Sequence, residues 1–380
     1  MSYPITLGIL GGGQLAKMLA NEAYKLGMNI AIIEKGANTP AGDMTKLDFT
    51  QGWENIDELN KFIAASSIIT LENEFINPDV LEYIEKIKPV FPSSKTLKLV
   101  QDKLIQKTTF QNNNISVPIF QNVETVEDAY RFGEKHSYPF IIKSRKMGYD
   151  GYGNAKVEKR EDIVPIFEKF KADKLRSEIY AEQFIDFKAE LAIMIGRNQQ
   201  GEMVNYPVVE TIQRNHICNE VIAPADINES TRLKAIDLAK RCVESIDGVG
   251  IFGIELFLTK NDDVLVNEIA PRPHNTGHYT IDACVTSQFE NAIRAVLGLP
   301  FGSTEMVKPY AVMINLLGER NGDGSPKNIA NTLALKNVSL HLYNKKESRI
   351  GRKMGHITVI GDNPNETYQT AKKAKELFVW

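Results

Sequence analysis

An amide and two acids set in apolar surroundings pose the first chemical question. Glu255 lies in Gly253-Ile-Glu-Leu-Phe, and Asn267 and Glu268 lie in Val264-Leu-Val-Asn-Glu-Ile. A carboxylate in an apolar strand is costly unless something compensates it. A Lys-Asn-Asp-Asp turn separates the two segments, so they are expected to pair as a hairpin with Glu255 and Glu268 facing the same way. Two carboxylates and an amide oxygen form a hard-oxygen set suited to Mg²⁺ carried on phosphates, with Mn²⁺ as an alternative ion. A salt-bridged acid pair with lysines is the other reading. The loop Ala270-Pro-Arg272-Pro-His274-Asn275-Thr276-Gly277-His278 follows at once. It holds Arg, His and Asn donors between stiffening prolines, as a cradle for a phosphate or carboxylate would.

Two glycine clusters lie upstream. Gly11-Gly12-Gly13-Gln14-Leu15-Ala16 fits G-x-G-x-x-A between an apolar run and a helical pattern, and Glu34 ends the next apolar run. This is close to a dinucleotide fingerprint. A helix N-terminus that receives a mononucleotide phosphate fits equally well, as does a tight turn with no ligand. The second cluster runs Lys143-Ser-Arg-Lys-Met-Gly148-Tyr149-Asp150-Gly151-Tyr152-Gly153. It is neither a Walker loop nor a Rossmann turn, because no GK[ST] and no following helix appear. A mobile glycine loop between strands can cover nucleotide phosphates while a lysine at the strand end meets them from the other side. A plain hairpin loop is the alternative. Glu182-Gln183-Phe184-Ile185 could offer backbone groups to an adenine edge, with Glu190 near a ribose. Arg352-Lys353-Met-Gly355-His356 is a second basic group that, alone, reads as a solvated charge run.

The elements that must hold these residues are readable in outline. The first hundred residues alternate strand and helix signals, which predicts a doubly wound parallel sheet. Lys95 to Gln111 reads as one helix, Pro139 to Lys143 as a strand, and Asn228 to Ser245 as a long helix. Strands mixed with a final helix close the chain. The length of 380 residues suggests two or three domains. The composition, 43% hydrophobic and 24% charged, is too apolar for disorder. A net charge of -3 argues against nucleic acid as the main partner. No apolar run reaches membrane-spanning length, and the N-terminus reads as a strand rather than a signal peptide. Cys218, Cys242 and Cys284 are far apart and odd in number, so buried thiols in a reducing cytoplasm are expected.

Four stretches carry a resemblance to a known family: Gly11 to Leu15, Lys143 to Gly153, Asn267 to His278 and Arg352 to His356. Thr70-Leu-Glu72-Asn-Glu74 adds a T-x-E-x-E segment. The chain resembles the ATP-grasp superfamily and, within it, the N5-carboxyaminoimidazole ribonucleotide synthetases of purine biosynthesis. The resemblance implies an ATP-grasp fold of mixed α/β and α+β class. An N-terminal Rossmann-like domain would span 1–95, an ATP-grasp domain 96–300 with a lid over 112–175, and a small β-rich domain 301–380. It implies ATP-dependent carboxylation of 5-aminoimidazole ribonucleotide with bicarbonate, and a cytoplasmic homodimer. Lys103, Lys143 and the loop glycines Gly148, Gly151 and Gly153 would meet ATP phosphates. Glu182 to Ile185 would hold adenine and Glu190 ribose, with Gln213 also on the nucleotide side. Glu255, Glu268 and Asn267 would carry Mg²⁺. Gln14, Glu74, Lys345, Arg352 and Lys353 would bind the ribonucleotide. Arg272, His274 and Asn275, with Tyr149 and Asp150, would form the catalytic set. The chain departs from the family pattern at Tyr152, usually Lys or Arg, and at Gln213, usually His. Three rivals remain: another ATP-grasp carboxylate–amine ligase, an NAD-dependent oxidoreductase resting on Gly11 to Ala16 and Glu34, and a non-catalytic nucleotide-binding protein.

Overall fold

The N-terminal strands are short and, apart from the edge strand Leu47–Phe49, largely apolar, as strands buried on both faces must be. In the computed structural model, which describes residues 4–148 and 152–380, they form a five-stranded parallel sheet. Its order is Leu47–Phe49, Asn29–Ile33, Thr6–Leu10, Ile68–Leu71, Val90–Phe91. Thr6–Leu10 is central, and the chain winds off to either side of it. The switch point of the sheet is therefore at the carboxyl end of this strand, where ligands of open α/β sheets bind. Gly11 follows Leu10 directly, and Glu72 follows Leu71 on the neighbouring strand.

A four-stranded antiparallel sheet comes next, in the order Phe120–Val123, Ile179–Gln183, Phe140–Ser144, Asn154–Val157. Helices Val126–His136 and Ile163–Ala172 pack Phe132, Ile163 and Phe170 against Phe140 and Ile142 in a separate small core. Lys143 is the next-to-last residue of one of its strands, Phe140–Ser144, and the following strand begins at Asn154, after the second glycine stretch.

The third sheet has nine strands. From its Val264–Ala270 edge it runs through Gly250–Thr259, Phe187–Arg197, Val209–Arg214, Ile217–Ala223, Tyr310–Leu317 and Lys353–Gly361 to Val338–Leu342. Met203–Asn205 pairs with Phe187–Arg197 off this path. Helix Glu229–Ser245, capped by Asn228, covers part of one face with Leu238, Ala239 and Cys242. The sheet continues without a break past residue 300, because Ile217–Ala223 pairs with Tyr310–Leu317. Helix Pro364–Leu377 lies over that later half. Glu220, 0% exposed, receives Tyr368 Oη at 2.8 Å, Arg214 Nη2 at 3.0 Å and Lys372 Nζ at 3.2 Å. A buried carboxylate with three donors is well compensated, and here it ties two strands to the last helix.

Helix Gln14–Lys25 joins the parallel sheet to the rest. Its Leu15, Met18 and Leu19 share a core with Phe289 and Ile293 of helix Gln288–Leu297. The long helix expected over Lys95 to Gln111 is two helices, Ser94–Gln101 and Lys103–Asn112. Asp102 breaks it. Its Oδ1 accepts from the backbone N–H groups of Leu104 at 3.0 Å and Ile105 at 3.3 Å, and Arg145 clamps the same carboxylate, with Nη2 to Oδ2 at 2.7 Å. A capped second start outweighs helical continuity here. All three cysteines are buried. Among the described residues no helix is long and apolar enough to cross a membrane.

Candidate active site

The acid pair forms as the alternation of the hairpin demands. Glu255 lies directly across from Glu268 between Gly250–Thr259 and Val264–Ala270. The next pair is Leu256 with Val266, so Asn267 is the extra residue of a bulge. In a regular strand Asn267 and Glu268 would point to opposite faces. The bulge turns both the same way, and Asn267 Nδ2 lies 3.4 Å from Glu255 Oε2. Burial and the neighbouring charge of Glu268 push the Glu255 carboxyl well above its ordinary range. Burial also opposes the charge of Glu268, but the ammonium of Lys103, which donates to it, holds it below that range.

Lysines line one side of this pair. Lys103 opens its helix, and Lys107 lies one turn further along the same face. Lys107 Nζ stands 2.6 Å from Glu182 Oε2, and Lys143 Nζ stands 2.5 Å from Glu182 Oε1. Lys143 also reaches Asn267 Oδ1 at 3.3 Å. Glu182 and Lys107 are 2% and 1% exposed on their side chains. Burial opposes ionisation of Glu182, and the two ammonium groups more than reverse it. For Lys107 burial wins and its pKa falls. Two lysines share one carboxylate, so this wall is short of negative charge and suits a polyphosphate. The Glu182 side chain is thus committed to lysines. Only the backbone of Glu182, with Gln183 to Ile185, remains to face a base edge. Lys156 Nζ sits 4.5 Å from the centre of the Phe184 ring. Glu190 lies on Phe187–Arg197, with its carboxyl pushed up to about 7 by burial. Gln213 stands on the adjacent strand, two residues from the Thr211 that pairs with Glu190.

The anion loop lies on the other side. Arg272 forks onto Glu74, with Nη2 to Oε1 at 2.6 Å and Nε donating to Oε2. Burial opposes ionisation of Glu74, yet Arg272 holds its pKa below the usual value. His274 Nε2 lies 3.8 Å from Glu255 Oε1, and its Nδ1 meets Thr276 Oγ1 at 2.9 Å. Burial, then the charges of Arg272 and Lys353, lower the His274 imidazole to about 4. It is therefore neutral at physiological pH. Gln288 grips the His274 backbone from both sides, accepting from its N–H at 3.0 Å and donating to its C=O at 2.8 Å. Asn275 is buried and exchanges amide hydrogen bonds with Asn315.

At the first glycine cluster the expectation of a helix N-terminus open to an anion meets a resident one. Glu72 accepts from Gly13 N–H at 2.9 Å and from Ala16 N–H at 3.3 Å. Gly11, at φ +109°, has no room for a Cβ because the Glu72 side chain fills that space. The glycines thus admit a carboxylate of the protein itself. Gln14 stands at the first helical position beside it.

The remaining candidates divide. Lys353 is close enough to influence both Glu255 and His274. Lys345 Nζ donates to Lys353 C=O at 2.7 Å, which brackets that residue. Arg352 Nη1 instead donates to Glu347 C=O at 2.6 Å, in the loop beside the strand. Gly148 and Gly153 flank the buried Ser144 hydroxyl, and Tyr152 is 62% exposed. Tyr149, Asp150 and Gly151 lie outside the described residues. Lys107, Glu72 and Gln288 were not singled out by sequence reasoning as site residues. Glu72 was within the quoted Thr70 to Glu74 segment, and Lys107 could have been found by its one-turn spacing from Lys103.

Three family models match consecutive parts of the chain: a ribonucleotide synthetase preATP-grasp domain over 5–101, an ATP-grasp domain over 108–289, and a phosphoribosylaminoimidazole carboxylase C-terminal domain over 311–370. The phosphoribosylaminoimidazole carboxylase of Ogataea methanolica is 40% identical over 94% of this chain, which spans 67% of that relative's length. The crystal structure of the N5-carboxyaminoimidazole ribonucleotide synthetase from Thermotoga maritima aligns with a TM-score of 0.87 at 38% identity, covering 99% of both chains. The Aspergillus clavatus N5-carboxyaminoimidazole synthase, crystallised with ADP and 5-aminoimidazole ribonucleotide, aligns at 0.89 with 32% identity over 98% of both chains. A glycine turn that holds Glu72, a lysine wall and a bulged acid pair thus sit within a fold shared end to end with solved synthetases, and the chain belongs to the N5-carboxyaminoimidazole ribonucleotide synthetase family of ATP-grasp ligases.

Proposed function

We propose that the chain carboxylates the amine of 5-aminoimidazole ribonucleotide with bicarbonate, converting ATP to ADP and phosphate, as a step of purine biosynthesis. One observation carries this reading. A single strip of side chains runs from Lys107 and Lys143, through Glu255 and Glu268, to His274 and the Arg272–Glu74 fork. A nucleotide at one end and a second substrate at the other would meet over the acid pair. The solved relative that holds ADP together with the ribonucleotide supports the same pairing of ligands.

The donor set of Glu255, Glu268 and Asn267 fits Mg²⁺. It is all oxygen, and the Glu255 carboxyl, strained by burial and by its neighbour, lacks a full countercharge. When bound there, the ion neutralises charge on the transferred phosphoryl group. Lys103 and Lys143 would do the same from the lysine wall. A bicarbonate oxygen attacks the γ-phosphorus, the bond to ADP breaks, and carboxyphosphate forms. Arg272, held in plane by Glu74, would orient the carboxylate end by paired N–H donors. The substrate amine then attacks the carboxyl carbon, phosphate leaves, and the amine proton passes to the neutral imidazole of His274. Carboxyphosphate must meet the amine before water, and closure of the Gly148 to Gly153 stretch would provide that exclusion. Gln14, Glu74, Lys345, Arg352 and Lys353 would bind the ribonucleotide, and Asn275, Tyr149 and Asp150 would complete the catalytic set. Glu182 to Ile185, Glu190 and Gln213 would surround the nucleoside. We further take the enzyme to be a cytoplasmic homodimer.

Transfer of isotope tests the reading. With [¹⁸O]bicarbonate, one labelled oxygen should appear in the released phosphate of each turnover. Unlabelled phosphate would rule out the carboxyphosphate route.

A further inference from the structure

Two of the chain's six histidines, His341 and His356, lie close together on strands beyond the anion loop, outside the roles assigned above. His341, on Val338–Leu342, is the cross-strand partner of His356, on Lys353–Gly361. Their rings stack at 4.5 Å between centres, 12° from parallel. Asp282 comes from the short helix Thr280–Ala283 that follows the anion loop, and its Oδ2 is 2.8 Å from His341 Nε2. One potential ligand atom from each of Asp282, His341 and His356 lies within 4.8 Å of the other two.

His356 supplies the second observation. It is 0% exposed, and its Nδ1 lies 2.8 Å from the hydroxyl of Tyr343. Its Nε2 is buried and has no hydrogen-bond partner among the described residues. A buried, unsatisfied ring nitrogen is costly, and a metal ion is one group that would satisfy it. A hydrogen bond at the far nitrogen is also how ligating histidines are oriented, since it fixes the tautomer and aims the lone pair.

We propose that Asp282, His341 and His356 bind one transition-metal dication of the zinc class, at a second site separate from the acid pair. Two imidazoles and one carboxylate suit Zn²⁺, Co²⁺ or Ni²⁺, whereas Mg²⁺ prefers the all-oxygen set of Glu255, Asn267 and Glu268. Tetrahedral zinc ligands at about 2.0–2.2 Å from the ion stand roughly 3.4 Å apart, so loading parts Asp282 Oδ2 and His341 Nε2, now 2.8 Å apart, and turns both toward the ion beside His356. The His341 side chain is 28% exposed, so it is the ring free to turn out of the stack. Its open side leaves the fourth position to water. A bound ion would staple the helix after the anion loop to the C-terminal strands. This goes beyond the proposed reaction and needs no turnover.

The test uses the full chain, stripped with EDTA and then dialysed against micromolar Zn²⁺, with metal content measured by mass spectrometry. Co²⁺ loading is followed in parallel by visible absorption. Wild-type protein should retain about one equivalent of zinc, show an intense Co²⁺ band and melt at a higher temperature when loaded. His341→Ala and Asp282→Asn, both at partly exposed positions, should weaken Zn²⁺ binding at least tenfold and lose the Co²⁺ band, while Glu255→Gln retains both. No retention by folded wild-type protein would overturn the proposal. So would binding that survives both variants, or that is lost in Glu255→Gln instead.

Discussion

Glu190 and His274 are both displaced by burial, and their effects on stability run in opposite directions. The Glu190 carboxyl titrates near 7 in the folded chain, against an ordinary 4.5. Its folded pKa is raised, so its contribution to stability is complete below about pH 4.5 and is lost as pH rises through 7. Glu190→Gln should therefore melt higher than wild type, by a margin that grows from pH 5 to pH 8. If Glu190 holds the ribose of ATP, the same variant should raise the KM for ATP about tenfold. Melting curves against pH and ATP kinetics check the two halves, and a constant melting margin would contradict the first. His274 is lowered to about 4 from an ordinary 6.5. Its contribution is present above 6.5 and is lost as pH falls toward 4. At Lys143, removal of an ammonium aimed at transferred phosphate should cost about 10²–10³ in kcat/KM, as loss of one preorganised donor does. Lys143→Ala assayed for turnover would show it, and unchanged kinetics would remove Lys143 from the site. Arg272, His274 and the acid pair were legible in the sequence because charged residues in apolar strands and proline-braced loops need a reason. Lys107 and Glu72 were not, because their partners Glu182 and Gly13 are distant in sequence and only the fold brings them together.

Elements set these residues through small irregularities. The bulge at Asn267 is one, since it puts Asn267 and Glu268 on one face. Asp102 is another, because it starts the helix that carries Lys103 and Lys107 and also holds Arg145. Asp102→Ala should lose about 1 kcal/mol of cap and leave Arg145 without its partner, which together lower the melting temperature by several degrees. Asp102→Asn, which keeps a capping oxygen, should fall between it and wild type. Calorimetry of the three proteins checks the order. Gly153 is at φ +88°, and a Cβ there would collide with the Ser144 hydroxyl. Gly153→Ala should therefore slow turnover at least fivefold through backbone strain of about 1–3 kcal/mol in the loop. A variant as fast as wild type would show that the loop has no role in catalysis. The hairpin of the acid pair and the alternating N-terminal elements were legible from periodicity and turn residues. The break at Asp102 was not, because the helical spacing runs straight through it and Arg145, which rewards the break, lies more than forty residues away, just past the strand Phe140–Ser144.

At the scale of the whole molecule, two sheets and two packed helices bring the ends of the chain to one place. Helices Gln14–Lys25 and Gln288–Leu297 bolt the parallel sheet onto the nine-stranded one. This sets the Glu72 and Glu74 strand end against Arg272. The nine-stranded sheet carries Lys353 back toward Glu255 from beyond residue 300. Sequence pattern marks the N-terminal sheet as a unit, but it has no signal for a sheet that joins residues 217–223 to 310–317, since antiparallel partners so far apart share no local feature. The same assembly makes the central claim testable as a whole: the nucleotide end and the anion end work only together. The most direct measurement is phosphate release from MgATP and bicarbonate, with and without 5-aminoimidazole ribonucleotide. Release that rises strongly with the ribonucleotide, and stays low without it, is the predicted result. Equal release in both cases, or ATP binding with no release in either, would contradict the account.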